Sequence, residues 1–170
     1  MKAVAEHLRL VYCPQCGTLL QDREAYGRLR RYCPACDRVI FRDPKVAAGV
    51  LVEQDGKVLL VRRSANPGQG RWSLPAGFVE YDEQPAVTAS RECLEETGLE
   101  IELTGLLGVI PGGGLPGEAS FMIVYRGRVV GGALKAGDDA SAARFFDPAD
   151  LPPLAFESIR RVLGLTEGSP

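Results

Sequence analysis

The segment from Gly77 to Leu99 constrains the fold of this chain more than any other stretch. Within it, Glu92, Glu95 and Glu96 are spaced i, i+3 and i+4, which places their side chains on one face of a helix. Three carboxylates this close repel one another, and hard divalent cations such as Mg²⁺ favour carboxylate oxygens as ligands. A solvated acidic helix face is the ordinary alternative, but the flanking residues favour a metal site.

Those flanking residues form a pattern with the acidic cluster. Gly77 and Glu83 stand upstream at fixed offsets, Arg91 directly precedes the cluster, and Gly98 occupies the position of a left-handed helix cap. In this arrangement the segment resembles the Nudix box, Gly-x5-Glu-x7-Arg-Glu-U-x-Glu-Glu-x-Gly-U, where U is a bulky apolar residue. The matching positions are Gly77, Glu83, Arg91, Glu92, Glu95, Glu96, Gly98 and Leu99. Cys93 fills the first U position as a small apolar residue, a mild departure from the pattern.

The resemblance implies a Nudix α/β/α sandwich with a mixed sheet, and a hydrolase that cleaves phosphoanhydrides with Mg²⁺ or Mn²⁺. It implies that Glu92 and Glu96 are the principal ligands of the ions, while Glu95 shares coordination or orients water. The backbone carbonyl of Ala76 commonly adds a further ligand in this family. Gly77 is expected to let its loop approach the helix closely.

Two further predictions concern the support of this site and a fourth acid. Arg91 is expected to pair with Glu83 or a neighbouring Glu and so to fix the loop against the helix, an ordinary surface ion pair being the alternative. Many Nudix enzymes recruit another acid from a later loop, where Asp139 stands at the first Glu position of relatives and Ala142 at the second. Asp138 and Asp139 are therefore candidates, although a solvated pair in a Gly-flanked loop is the alternative.

Four of the five cysteines form two Cys-x-x-Cys pairs, Cys13 with Cys16 and Cys33 with Cys36. Paired knuckles at this separation are typical of a tetrahedral zinc site, in which four thiolates leave no position open for water. Disulfide bonds and a thioredoxin-like redox pair are less favoured, because nothing indicates an oxidising compartment and no βαβ pattern surrounds the motifs. We expect one structural Zn²⁺ in a small ribbon.

The Asp43-Pro44 junction divides the predicted N-terminal zinc ribbon, residues 1–43, from a Nudix hydrolase domain, residues 44–170. With 45% hydrophobic residues in 170, the chain can form a core. Within the larger domain we expect a hairpin over residues 46–63 around an Asp55-Gly56 turn, and a helix from Gln84 or Pro85 to Thr97. The other predicted elements are strands at residues 100–110, 119–130 and 144–146 and a terminal helix at residues 156–163. The residues of the central helix expected to face the sheet are Ala86, Ala89 and Cys93, with Val87 and Leu94 as further candidates.

Charge and hydropathy limit the partners of the chain. A net charge of −2 argues against a strongly basic nucleic-acid-binding protein. No apolar run approaches the roughly 20 residues that span a bilayer, and charges interrupt the N-terminus too often for a secretory signal. We therefore expect a cytoplasmic enzyme that acts on a small-molecule nucleotide and binds neither nucleic acid nor membrane; a homodimer is compatible with the sequence.

A zinc ribbon followed by a Nudix box suggests two groups of relatives. NADH pyrophosphatases, which also remove NAD caps from RNA, carry a Ser-Gln-Pro-Trp-Pro-Phe-Pro-like array after the box, and this chain has none. The chain is more similar to ribbon-bearing ADP-ribose and FAD pyrophosphatases, through its Asp-Pro-Lys junction at residues 43–45 and its Ala-Phe-Glu-Ser-Ile sequence at residues 155–159. We expect ADP-ribose or FAD to be preferred, with release of AMP. NAD decapping, or a non-catalytic ligand sensor whose ribbon binds nucleic acid or a partner, is the alternative.

Substrate contacts outside the box are predicted from residue type alone. The candidates for phosphate or ribose contacts are Arg62, Arg63 and Arg71. The candidates for stacking on adenine or flavin are Phe78 and Tyr81. Trp72 and Phe121 are expected in the core rather than against the substrate, and the glycine-rich loop 111–118 is either a mobile lid or a hairpin connection.

Overall fold

The computed structural model describes residues 10–41, 43–112 and 121–165, and the chain divides into two compact units between Asp43 and Pro44. Most of the predicted loop 111–118 therefore lies outside the described residues. The strands of the N-terminal unit are β1 (Gln21–Ala25), β2 (Arg28–Cys33) and β3 (Arg38–Ile40). They form an antiparallel sheet in the order β1-β2-β3. Tyr26 and Gly27, which join β1 to β2, both have positive φ angles, 52° and 70°, as a tight two-residue hairpin turn requires.

The second unit is built on a seven-stranded sheet. Its elements are β4 (Val46–Gln54), β5 (Lys57–Arg63), β6 (Trp72–Ser73), β7 (Ala76–Phe78), α1 (Pro85–Thr97), β8 (Leu99–Pro111), β9 (Phe121–Gly132), β10 (Ala140–Phe146) and α2 (Glu157–Val162). The strand order is β10-β5-β4-β9-β8, with β6 paired to β5 and β7 paired to β4. Because β4 runs parallel to β9 while the other pairs are antiparallel, the sheet is mixed, as predicted.

The predicted hairpin forms, since Asp55 and Gly56 take the positive φ angles of 51° and 74° that suit a two-residue turn between β4 and β5. Alternate residues of these strands then face opposite sides of the sheet. One core cluster contains Val50, Val52 and Leu59 with Cys93 of α1. The other contains Leu51, Val58, Leu60, Leu74, Val124 and Ile159 of α2. One helix thus covers each face, which is the α/β/α sandwich.

Helix α1 begins at Pro85, where the missing N–H of proline costs no hydrogen bond. It ends at Gly98, which has a φ of 69° and donates its N–H to the carbonyl of Leu94 at 2.8 Å. Ala89 and Cys93 are buried, as predicted. The expectation for Val87 and Leu94 is wrong, because their side chains are 54% and 47% exposed. Those two positions are rotated away from the Ala89–Cys93–Glu96 row that faces the sheet.

The C-terminal part differs from the predicted bounds. Helix α2 spans only Glu157–Val162, whereas β10 begins at Ala140, four residues before the predicted strand. Trp72 packs edge-on against Phe146, with ring centroids 4.6 Å apart, and contacts the cluster that contains Ile159. This packing agrees with the expected core role of Trp72.

Candidate functional site

The loop that contains β7 lies directly against α1 at the acidic face of the helix. A Cβ atom placed on Gly77 would clash with the carboxylate of Glu92, so the approach depends on the absence of a side chain at this position. One residue earlier, the backbone N–H of Ala76 donates to Oε2 of Glu96 at 3.0 Å. The close loop–helix contact predicted from Gly77 is therefore present.

Arg91 joins the loop to the acidic cluster. Its Nε and Nη2 atoms bind Oε1 and Oε2 of Glu83, each at 2.9 Å, in a bidentate pair. Its Nη1 atom reaches Oε1 of Glu92 at 2.8 Å and Oε2 of Glu95 at 2.9 Å. Thr88 also donates its hydroxyl to Oε2 of Glu83 at 2.7 Å. One guanidinium thus contacts three carboxylates, and the predicted pairing of Arg91 is confirmed.

The environments of Glu83, Glu92 and Glu96 differ, and they shift the pKa values of these residues differently. The hydrogen bonds from Arg91 and then Thr88 lower the pKa of Glu83 to about 2. Burial raises the pKa of Glu92, and the nearby Arg91 only partly offsets it. Glu96 is 3% exposed, and burial raises its pKa to about 9, with the hydrogen bond that its protonated form donates to Asp139 as the next cause. A site that crowds and buries carboxylates in this way favours a cation, which would replace the proton on Glu96.

The acids of the β10 loop also reach this site. A carboxylate oxygen of Asp138 lies within 4.8 Å of those of Glu92 and Glu95, a group that could hold one metal ion. Asp139 contacts Glu96. Ala142, by contrast, is half-buried and pairs with Arg62 in the β10–β5 ladder. The structure therefore places both candidate Asp residues, which are exposed, beside the acids of the helix.

A cavity of about 320 Å³ opens beside these acids. Asp139, Ala76 and Gly77 line its acidic end. The rest of the wall is mostly apolar, with a few polar side chains and one cation. Its members include Ala47, Arg63, Asn66, Pro67, Phe78, Met122, Phe156, Ser158 and Ile159. Arg63 donates its Nε–H to the carbonyl of Pro67 at 2.7 Å, and its guanidinium lies 5.4 Å from the ring centroid of Phe156.

Only some of the predicted substrate contacts lie at the cavity. Phe78 and Arg63 line the cavity, whereas Arg62, Arg71 and Tyr81 do not. Arg62 donates to the hydroxyl of Ser141 at 3.1 Å, and the side chain of Tyr81 is 97% exposed.

Sequence reasoning assigned no role to Phe156 and Ser158. The signal was present nonetheless, because both belong to the Ala-Phe-Glu-Ser-Ile stretch that distinguishes the chain among its relatives.

The four paired cysteines form a separate cluster in the N-terminal unit. Their sulfur atoms all lie within 4.8 Å of one another, with separations of 4.0 Å for Cys13–Cys36, 3.5 Å for Cys16–Cys33 and 3.3 Å for Cys16–Cys36. Four Zn–S bonds of about 2.3 Å in a tetrahedron require sulfurs about 3.8 Å apart. All five cysteines of the chain are free thiols. The cluster therefore has the geometry of a tetrahedral Zn²⁺ site.

Neither helix in the described part of the chain has the length and hydropathy needed to cross a bilayer.

Comparison with known proteins agrees with this geometry. The family model described as the NUDIX domain matches residues 43–164. An ADP-ribose pyrophosphatase from Methanocaldococcus jannaschii is 44% identical over 119 residues, which cover 69% of this chain and 70% of that protein. A NAD-capped RNA hydrolase, NudC, from Stutzerimonas stutzeri is 31% identical over 155 residues, which cover 89% of this chain but only 54% of the relative, so the chain spans about half of its length.

Among solved structures, a NUDIX hydrolase from Nitrosomonas europaea superposes with a TM-score of 0.79 at 31% identity, and the match covers 91% of this chain and 88% of the other. The fold, the arrangement of the acids around α1 and these relatives agree. This chain belongs to the NUDIX family, and it is a Nudix hydrolase that cleaves a diphosphate linkage.

Proposed function

We propose that the enzyme hydrolyses a nucleoside diphosphate linked to a second moiety, that it prefers ADP-ribose or FAD, and that it releases AMP. The observation that carries this proposal is where the two distinguishing motifs lie. Phe156, Ser158 and Ile159 of the C-terminal motif line the cavity beside the acids. Lys45 of the Asp-Pro-Lys junction lies over Phe78 of the same cavity, with Nζ 4.8 Å from the ring centroid.

The acids around α1 supply the reaction centre in this proposal. Glu92 and Glu96 would hold Mg²⁺ or Mn²⁺ together with Glu95 and the carbonyl of Ala76, and the crowding and burial of these carboxylates fit a cation. Bound ions neutralise charge on the non-bridging phosphate oxygens and activate a water for in-line attack. Asp139 is a candidate further acid, because it contacts Glu96 and lines the cavity.

Arg91 and Glu83 act as positioning residues. Their bidentate pair holds the β7 loop against α1, and the remaining guanidinium nitrogen orients Glu92 and Glu95. Because each of these carboxylates must point at the reaction centre, loss of the pair would misplace several groups together. Neither residue needs to touch the substrate in this arrangement.

The cavity would bind the second moiety. Arg63 is held in a fixed orientation by Pro67 and Phe156, so its remaining N–H groups can meet a phosphate or a ribose hydroxyl without a large loss of side-chain entropy. Phe78 and Met122 offer apolar surface to an aromatic ring. A nucleoside triphosphate has no second moiety and would leave this wall without contacts, so it should be a poorer substrate.

The N-terminal unit is proposed to be a zinc ribbon formed by residues 1–43, joined to a hydrolase domain of residues 44–170. The free thiols suit the reducing cytoplasm.

NAD decapping is the second candidate function, favoured by the similarity to NudC over 89% of this chain. The missing array after the Nudix box disfavours it.

The test is a comparison of kcat/KM for FAD, ADP-ribose, NADH, NAD-capped RNA and 8-oxo-dGTP under one metal condition, with product analysis. We expect FAD or ADP-ribose to lead, with AMP as the shared product. A clear preference for NADH, for capped RNA or for the oxidised triphosphate contradicts the substrate assignment, whereas no metal-dependent turnover of any of them contradicts the assignment of the reaction centre.

A further inference from the structure

The net charge of −2 is distributed unequally between the two units. Residues 1–43 contain eight Lys or Arg and five Asp or Glu, a formal charge of +3. Residues 44–170 contain twelve Lys or Arg and seventeen Asp or Glu, a formal charge of −5. The N-terminal unit is therefore basic even though the whole chain is acidic, so the charge of the whole chain says little about the partners of this unit.

The register of the three-stranded sheet sorts its side chains onto two faces. Residues directly opposite in an antiparallel pair share a face, and neighbours along a strand alternate. Arg23 pairs with Arg30, Gln21 pairs with Tyr32, and Ala25 pairs with Arg28, so these six residues share one face. Tyr32 also pairs with Val39 of β3. Phe41 follows β3 and lies under Arg30 on the same face. We call this surface the Arg-aromatic face; its main members are Arg23, Arg28, Arg30, Tyr32 and Phe41.

The acidic residues of β1 point to the opposite face. Asp22 pairs with Arg31 in the ladder, and their side chains form an ion pair at 2.8 Å. Glu24 pairs with Leu29 on the same side. That side also carries Cys33 and Ile40, which pack in the cysteine cluster. The strands therefore place no carboxylate on the Arg-aromatic face, and the nearest one found is that of Asp37, which accepts a hydrogen bond from the Tyr32 hydroxyl at the edge.

Two of the three arginines of this face, Arg23 and Arg30, lie on aromatic rings rather than in ion pairs. The guanidinium of Arg23 lies 4.5 Å from the ring centroid of Tyr32, and that of Arg30 lies 4.8 Å from the ring centroid of Phe41. Within the described part of the unit, Arg23, Arg28 and Arg30 form no salt bridge. Stacking on a ring holds a guanidinium flat and leaves its N–H edges open to an anion.

Exposed rings lie beside these cations. The side chain of Phe41 is 51% exposed, and Tyr26, whose ring centroid is 5.8 Å from that of Phe41, is 78% exposed. A surface of ordinary solvated arginines does not require exposed aromatic rings, and exposing these rings to water is unfavourable. Fixed cations alternating with open rings match the phosphates and bases of a single strand, because phosphates pair with arginine and any base can stack on an aromatic ring. An acidic peptide would use the arginines but not the rings.

We propose that the Arg-aromatic face of the zinc ribbon binds single-stranded nucleic acid. The arginines contact phosphates, while Tyr26 and Phe41 stack on bases. Recognition of this kind tolerates many sequences, because it reads the backbone and the ring faces rather than base edges. The inference does not depend on which nucleotide the hydrolase domain cleaves.

The test uses the full, zinc-loaded chain and fluorescein-labelled 12-nucleotide RNA and DNA strands of mixed sequence, followed by fluorescence anisotropy. If about three phosphates are neutralised, log K should fall with log salt with a slope near −2, so the affinity should weaken about 20-fold between 50 and 200 mM KCl. A duplex of the same sequence should bind more weakly, because its bases are closed to stacking.

Variants separate the two contributions. Each of R23Q, R28Q and R30Q should reduce the salt slope by about 0.7, and F41A should weaken binding at least about 5-fold with the slope unchanged. R38Q is the matched control, since Arg38 is exposed on the opposite face, where it bonds Gln15. Zinc content and turnover of a small nucleotide should stay at the parental values in all five variants, which excludes unfolding as the cause.

Three outcomes overturn the proposal. One is the absence of binding to either strand at 50 mM KCl. Another is an equal loss in R38Q and in the three Arg-aromatic variants. The third is binding to vesicles of phosphatidylcholine with phosphatidylserine that depends on the same arginines while neither strand binds, which would make this face a membrane contact.

Discussion

The backbone N–H of Ala76 donates to Oε2 of Glu96 at 3.0 Å, although the two residues are 20 positions apart in the chain. The bond ties the β7 loop to the acidic face of α1, where Asp139 also lies beside Glu96. Glu96 is therefore positioned by the backbone of the fold before any cation binds. This preorganisation has a cost, because a buried carboxylate without a cation is unfavourable.

E96Q should abolish most of the activity and stabilise the metal-free protein. Gln removes a ligand charge but can still accept the Ala76 N–H, so we expect kcat to fall at least about 100-fold. Because the folded-state pKa of Glu96 is raised to about 9, the folded protein binds more protons than the unfolded chain between about pH 4.5 and 9, and its stability falls as the pH rises through this window.

The Tm of E96Q without added Mg²⁺ or Mn²⁺ should thus exceed the parental Tm by about 3 °C or more at pH 8, and by less at pH 5. Thermal melts at the two pH values provide the measurement. Near-parental turnover, or a Tm difference that shrinks as the pH rises, would show that Glu96 is neither a ligand nor a buried acid.

E83Q should lower stability most at neutral pH. The pKa of Glu83 is lowered to about 2 by Arg91, so its contribution is fully present above the unfolded pKa of about 4.5 and is lost as the pH falls toward 2. The urea midpoint of E83Q should lie below the parental midpoint at pH 7, and the difference should shrink steadily as the pH falls from 4.5 toward 2.

Trp72, the single tryptophan, lies in the hydrolase unit and reports its unfolding without interference from the ribbon. E53Q is the control, because Glu53 forms an exposed pair with Arg126 that should matter little at either pH. A difference between E83Q and the parent that is constant with pH would contradict the role given to the Arg91 pair.

G77A should reduce activity much more than stability. The added Cβ would clash with the carboxylate of Glu92, which is the movable end of a side chain, so Glu92 can swing away at a modest cost in folding free energy. Its displacement removes a ligand from the site. We expect kcat/KM to fall at least about 50-fold with a Tm loss of only a few degrees.

G105A is the matched control for G77A, because a Cβ on Gly105 would meet no atom within 4 Å, and its activity should be parental. Equal activities of G77A and G105A would show that the close approach at Gly77 is not required.

The central helix was predicted from Gln84 or Pro85 to Thr97 and spans Pro85–Thr97, because proline, the acidic row and the capping glycine are local signals. The acids of the site that lie outside this segment could not be placed from the sequence in this way. Whether Asp139 reaches Glu96 depends on how β10 packs beside α1, and periodicity carries no information on contacts 43 positions apart. Arg62 and Arg63 illustrate the same limit, since alternation along β5 puts them on opposite sides, but only the packed sheet determines which side holds the cavity.

C33S should release the zinc and unfold the N-terminal unit. Four thiolates within 4.8 Å of one another supply the complete ligand set, and a unit this small depends on the ion for much of its stability. Elemental analysis should give about one zinc per parental chain and a large loss in C33S. C93S is the control, because Cys93 is buried in the other unit and should leave the zinc content unchanged. Parental protein without zinc would contradict the ribbon.

R63A should raise KM for ADP-ribose and FAD while R62A leaves it unchanged. Arg63 lines the cavity and is held by Pro67 and Phe156, whereas Arg62 bonds Ser141 outside the cavity lining. If Arg63 contacts the second moiety in the ground state as well as in the transition state, kcat should change little and KM should rise about 10- to 100-fold, equivalent to the loss of one charged hydrogen bond. Inorganic pyrophosphate release from a nucleoside triphosphate should be affected less, since that substrate lacks the second moiety. Steady-state kinetics of both variants with FAD, ADP-ribose and dGTP provide the comparison, and melts exclude a loss of fold. Parental KM values in R63A, or the same increase in R62A, would place the second moiety outside this cavity.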